Sequence, residues 1–127
     1  MKVLTIQEPC ATAIMMGLKT IETRNWRTNY RGRLYIHAAS TRWKYTTSTM
    51  TAMVGDKLNY GKVICSCDLV DCVLMTPEFI DQLSPQELAL GIYEPGRYAW
   101  ILDNVEVLET PFVTKGHLGI WNLEVES

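Results

Sequence analysis

Arg33-Leu34-Tyr35-Ile36-His37-Ala38 decides the architecture. Leu34, Ile36 and Ala38 fall on one side of an extended chain, and Arg33, Tyr35 and His37 on the other. That period belongs to a strand with one face in a core. Arg31-Gly32, just before it, reads as a turn. Further upstream, Ile21 to Arg24 alternates too, with Glu22 and Arg24 on one face and Ile21 and Thr23 on the other. Lys2 to Gln7, carrying Val3 and Leu4 among polar neighbours, reads as a short first strand. Between these two strands, Pro9 stands at the first turn of a helix through Ala11, Ala13, Ile14 and Met15 to a stop at Gly17.

Downstream, Met50, Met53 and Val54 form an apolar stripe that predicts a helix over Thr41 to Val54, ended by Gly55-Asp56. Lys62 to Met75 is a long β-rich run, and Thr76-Pro77-Glu78 opens a short helix. Gly91 and Pro95-Gly96 bracket a loop, and Tyr98 to Leu108 and Leu118 to Val125 are the closing strands. Six strands and two or three short helices lack the regular alternation of a doubly wound sheet. They predict an α+β fold, a small partly closed β-barrel decorated with helices, with residues 1–127 forming one domain.

Hydrophobic residues make up 47% of the chain and charged residues 20%, a balance that supports a folded core rather than a disordered tail. No apolar run reaches membrane-spanning length, and the N-terminal residues lack a signal peptide's apolar stretch, so a cytoplasmic location with no membrane partner is expected. Cys10, Cys65, Cys67 and Cys72 then read as reduced thiols. The net charge of −2 is unevenly spread. Lys19, Arg24, Arg27, Arg31, Arg33, Arg42 and Lys44 face Glu22 alone, so this window carries +6 and the rest of the chain −8. From Asp68 onward the bases are Arg97 and Lys115. Such a split fits a nucleic-acid partner, and equally fits a basic segment that pairs with acids elsewhere in the fold.

Motif chemistry narrows the choice. Cys65-Ser66-Cys67 has neither the spacing nor the second pair of a zinc knuckle, no phosphate loop is present, and no serine or cysteine sits in a nucleophile elbow. No metal and no cofactor is expected. What remains is Gly17-Leu18-Lys19-Thr20-Ile21-Glu22-Thr23-Arg24-Asn25-Trp26, where a cation, a carboxylate and a guanidinium fall close together. Lys19 is expected to be partly exposed and to converge with Glu22 and Arg24. Trp26, Tyr30, Tyr35 and Trp43 lie among the arginines, the composition of a platform that stacks bases and holds phosphates.

Three blocks in order resemble the ASCH domain, a family of the PUA-like superfamily: Gln7-Glu8-Pro9, then Gly17-x-Lys19-x-x-Glu22-x-Arg24-x-Trp26, then Tyr30-Arg31-Gly32-x-Leu34-x-Ile36-His37-Ala38. Pro95-Gly96-Arg97-Tyr98-Ala99-Trp100 and Gly116-His117-Leu118-Gly119-Ile120-Trp121 are similar to the closing segments of bacterial and phage members. The resemblance implies a PUA-like barrel with relatives that bind RNA or read modified bases. It also implies a cleft between the barrel and its first helix, lined by G-x-K-x-x-E-x-R. Two departures stand out. Many relatives have an aromatic after the proline where this chain has Cys10, which implies a roomier or less stacking-competent cleft. Some relatives resemble amidohydrolases of N4-acetylcytidine that use G-x-K-x-x-T-x-R and a glutamate from a later helix. Here Glu22 fills the threonine slot, and Glu78, Glu87 and Glu94 are all open as the later glutamate.

Two functions follow as expectations. In the first, the cleft binds RNA, a nucleotide or a modified nucleoside through Gln7, Lys19, Glu22, Arg24, Trp26 and His37, with Arg27, Arg31 and Arg33 tracking a backbone. In the second, Lys19 activates water or forms an adduct and Glu22 shuttles the proton in hydrolysis of an N4-acylated cytidine or cytosine. No feature of the sequence selects a protein partner.

Overall fold

The computed structural model describes residues 1–124. In chain order the elements are β1 (Lys2–Ile6), α1 (Cys10–Met15), β2 (Ile21–Arg24), β3 (Gly32–Ala38), α2 (Ser48–Val54), β4 (Lys62–Leu74), α3 (Pro77–Asp81), α4 (Pro85–Ala89), β5 (Tyr98–Val113) and β6 (Ile120–Asn122). The strands form one sheet in the order β2-β5-β4-β3-β1-β6. β1 and β3 run parallel, and every other pair is antiparallel.

The sheet curls into a partly closed barrel. In a flat sheet β1 and β2, four places apart in the strand order, would be separated by roughly 19 Å. Instead Arg24 Nη2 on β2 donates to the Thr5 carbonyl on β1 at 2.8 Å. Register irregularities along β4 and β5, at Val63/Cys65, Ser66/Asp68 and Leu69/Asp71, supply the bends. Pro111, which has no N–H to give to a ladder, falls in the first of these irregular stretches, between Val107 and Phe112.

Leu34, Ile36 and Ala38 are fully buried, as the alternation predicts, and join Leu4, Ile6, Ile64, Leu69 and Trp100 in the main core with Ala11 and Ile14 of α1. At a cost of about 2–5 kcal/mol for truncating such a side chain, this cluster dominates the stability of the fold. α1 begins where the Glu8 side chain, itself fully buried, accepts from Thr12 N at 2.8 Å and Thr12 Oγ1 at 2.5 Å. The same carboxylate accepts from Asn59 N at 2.7 Å, tying the loop before β4 to the helix start. Gly17, at φ +80, turns the chain out of the helix in a conformation that glycine adopts without strain.

Several elements differ from expectation. The helix predicted over Thr41 to Val54 starts only at Ser48, because Thr47 caps it by accepting from Met50 N, and 41–47 runs as irregular chain. A fourth helix, α4, exceeds the two or three predicted. Ser84 caps it by accepting from Glu87 N, with Pro85 in the first turn. β5 runs past Leu108 to Val113. The last strand covers Ile120–Asn122 only, and Val125 lies outside the described residues. Among the described residues, no helix is long and apolar enough to cross a membrane.

Candidate functional site

A cleft of about 370 Å³ opens where the ends of β1 and β2 meet the start of α1, the loop after α4 and the loop before β6. Thr5, Gln7 and Cys10 come from the first strand and helix start, Glu22, Arg24 and Trp26 from β2 and its exit, Leu90, Gly91 and Arg97 from the later loop, and His117 and Leu118 from the loop before β6.

Glu22 and Arg24 share a strand face, as two-residue spacing requires. Arg24 Nε donates to Glu22 Oε2 at 3.1 Å, and Nη2 lies 2.9 Å from the same oxygen. The Nη1 group makes no hydrogen bond among the described residues, so donors remain for a ligand. Glu22 is 7% exposed and its Oε1 accepts from Thr23 N at 3.1 Å. The Gln7 amide oxygen is buried and has no hydrogen-bond partner among the described residues, a state that costs about 1–3 kcal/mol. Trp26 is 37% exposed, its ring held edge-on against buried Trp100 at 4.7 Å between centroids. The wall thus offers acceptors, spare guanidinium donors and an aromatic face.

Lys19 is placed otherwise than expected. It is 1% exposed, does not line the cleft, and forms no ion pair with Glu22 among the described residues. Its ammonium lies 3.5 Å from Glu87 Oε2 and 3.3 Å from the Tyr93 hydroxyl. The hydroxyl donates to the same Glu87 oxygen at 2.6 Å, while Glu87 Oε1 accepts from Thr20 N and Thr20 Oγ1 at 2.8 and 3.0 Å. Burial raises the Tyr93 phenol well above its ordinary range, and the Glu87 carboxylate raises it further. Gly91 closes this cluster off. A methyl group there would come within 2.8 Å of Tyr93 Cε2 and 2.9 Å of Lys19 Nζ. Of the three candidate later glutamates, Glu87 alone meets Lys19; Glu78 and Glu94 are exposed.

The rest of the basic window divides. Arg33 pairs with Asp68 at 3.2 Å and Glu106 at 3.1 Å, and Arg31 lies 3.7 Å from Asp71. Their charge is spent inside the fold, as the pairing alternative foresaw. Asp68 is held below the usual carboxylate range by the Asn104 amide and by Arg33. Arg27, Arg42 and Lys44 are exposed and form no ion pair among the described residues. His37 is fully buried and outside the cleft. Its Nε2–H donates to the Thr114 carbonyl at 2.8 Å, so Nδ1 accepts from Thr5 Oγ1 at 3.1 Å, which in turn accepts from Trp121 Nε1 at 3.1 Å. That chain fastens β3, β1 and β6 together.

Three residues of the site escaped the reading of local pattern: Glu87, offered only by the resemblance as one of three, and Tyr93, both behind the cleft, and Arg97 on it; Trp43, also on the cleft, was among the aromatics of the basic window. Ser84-Pro85-Gln86-Glu87 is a helix-start signature that would have found the first. Arg97 lies in a block quoted for the resemblance, yet its role is set by distant carbonyls, Thr23 at 3.2 Å and Ile92 at 3.2 Å. Cys10 forms part of the cleft floor, and burial pushes its thiol up to about 12 despite Lys19 nearby. Among the described residues no three His, Cys, Asp or Glu side chains gather as metal ligands.

The family profile described as ASCH domain matches residues 4–112 of the chain. The chain is also similar to activating signal cointegrator 1 of Mus musculus, 26% identical over 132 aligned positions covering 95% of this chain and 22% of that protein. The Homo sapiens protein of the same name is 25% identical over the same span and coverage. The chain therefore corresponds to about a fifth of the length of these relatives.

Proposed function

This chain belongs to the ASCH domain family, and on that premise we propose that residues 1–127 act as one PUA-like module whose cleft binds the base of a nucleotide, free or within RNA. The observation that carries this reading is the cleft wall itself. Gln7, whose buried amide oxygen has no partner among the described residues, a carboxylate fixed by its neighbour (Glu22) and an arginine with unused donors line a cavity with an exposed indole. Acceptors beside donors on one rigid wall match the edge of a nucleobase, and the indole supplies a stacking face. Arg27, exposed next to Trp26, supplies charge for a phosphate.

The test is titration of the protein with the four ribonucleoside monophosphates and a short RNA, at low and at moderate salt. Saturable binding that weakens as salt rises supports the reading. No saturable binding of any of these by folded protein rejects it.

A second reading keeps one observation in its favour, the Lys19 ammonium 3.5 Å from the Glu87 carboxylate of a later helix. A lysine and a glutamate so placed are the parts an N4-acylcytidine amidohydrolase would use, the glutamate moving protons while water adds to the acyl carbon and the amine departs. Gly91 and Tyr93 cover the lysine, so this chemistry requires the loop after α4 to swing aside. Incubation with N4-acetylcytidine, scored for cytidine and acetate, decides it.

A further inference from the structure

Trp43 stands where three cavities meet. It lines the cleft of about 370 Å³, a second hollow of about 390 Å³ shared with Gly91, Ile92 and Tyr45, and a third of about 280 Å³ shared with Arg42 and Tyr60. From these observations we infer that the cleft is one end of a track for single-stranded nucleic acid, which leaves the cleft over Trp43 and lays its next base on Tyr45. The inference rests on the base-binding reading of the cleft and extends it to the neighbouring surface.

Three observations lead to this occupant. Tyr45 is 54% exposed and its ring packs edge-on against Trp43 at 5.6 Å, so Trp43 links the cleft that Trp26 lines to the hollow that Tyr45 lines. Arg42 and Lys44 flank Trp43 in sequence, and both are among the three cations of the basic window that no carboxylate neutralises in the described residues. The Lys44 ammonium lies over the Tyr45 ring, 5.0 Å from its centre, placing positive charge directly on this aromatic surface. Base-stacking rings alternating with unpaired cations are what a single strand requires, since its bases are unstacked and its phosphates follow at every step. A duplex keeps its bases inside and offers no ring to Tyr45. The irregular chain at 41–47, where a helix was expected, is what turns Trp43 toward the cleft and leaves Tyr45 outside.

The test measures affinity for fluorescently labelled single-stranded RNA of one to eight nucleotides, and for a matched duplex, with native protein and with Tyr45→Ala. Tyr45 is exposed, so its removal leaves the fold intact, which circular dichroism verifies. The expected result is a rise of about tenfold or more between one nucleotide and about four, then a plateau. Tyr45→Ala should lose most of that gain and keep the affinity for the mononucleotide. If the mononucleotide binds but longer strands bind no tighter, or if Tyr45→Ala shows the same length dependence as native protein, the track is overturned and the cleft reading stands. A duplex that binds more tightly than the single strand also overturns it. If neither mononucleotide nor strand binds, the cleft reading fails and takes the track with it.

Discussion

Arg24 on β2 donates to the carbonyl of Thr5 on β1 at 2.8 Å, across the open seam of a sheet in which the two strands are not neighbours. Among the described residues no backbone ladder closes the barrel there. One guanidinium does, and it is itself held by Glu22.

Arg24→Met should therefore cost more than an ordinary surface change. It leaves the Glu22 carboxylate buried without its partner and the Thr5 carbonyl without a donor, for a loss of about 2–3 kcal/mol. Arg24→Lys retains the charge but not the fork, and should cost less than the methionine variant. Urea unfolding of both variants checks this; a loss below about 0.5 kcal/mol for Arg24→Met would show that the seam bridge is idle.

Lys19→Ala should be strongly destabilising, by about 3–5 kcal/mol, because it leaves the buried Glu87 carboxylate without its counter-charge. The partly exposed lysine expected from sequence would have cost about 0–1 kcal/mol. Gly91→Ala probes the same cluster from the cleft side, driving a methyl group against Tyr93 and Lys19 for a cost of about 1–3 kcal/mol. Chemical denaturation reads both, and Lys19→Ala unfolding at the native midpoint would contradict the burial.

Arg33→Ala should leave nucleotide binding within about twofold of native, since its charge is already spent on Asp68 and Glu106. Its signature is instead in the acid limb. Asp68 titrates lower in the folded chain than in the unfolded one, so its stabilisation is full above the ordinary carboxylate range and is lost as pH falls through the folded value. Asn104 still holds the carboxylate in the variant, so the acid midpoint should move up only slightly. A large drop in affinity would reassign Arg33 to the binding face.

Cys10, Cys65 and Cys67 are pushed by burial to about 12, from an ordinary value near 9. The folded chain then holds protons that the unfolded chain has released, so stability should fall as pH rises from about 9 toward 12. Near neutral pH, iodoacetamide should modify half-buried Cys72 first and the other three only as the protein opens. Peptide mapping by mass spectrometry follows each thiol. Early modification of Cys10 would mean that the cleft floor is more open than its burial indicates.

The strands were legible because each carries its own period. Leu34, Ile36 and Ala38 need no knowledge of the rest of the chain to declare a buried face. Glu22 and Arg24 were legible as a pair for the same reason, since two residues on a strand return to one side. Lys19 was not. Its partner comes from α4, 68 positions later, and its burial depends on a tyrosine ring and a glycine that no local pattern connects to it. His37 misled in the opposite sense. Alternation placed it on the polar face with Arg33 and Tyr35, but Trp121 and the chain at Thr114 cover that end of the face. Charge pairing was likewise beyond reach, because the acids that meet Arg31 and Arg33 lie on β4 and β5.

Among the described residues β2 pairs with β5 alone, Ile21 with Ile101 through Arg24 with Tyr98. The G-x-K-x-x-E-x-R segment is made early, and its strand has no partner to pair with until the chain has grown past residue 101. During synthesis it must wait as an unpaired strand with charged side chains, while β1, β3 and β4 can already come together. Assembly of the cleft is therefore a late event. A chain stopped before β5 would carry the whole motif in its sequence and still have no cleft to bind with.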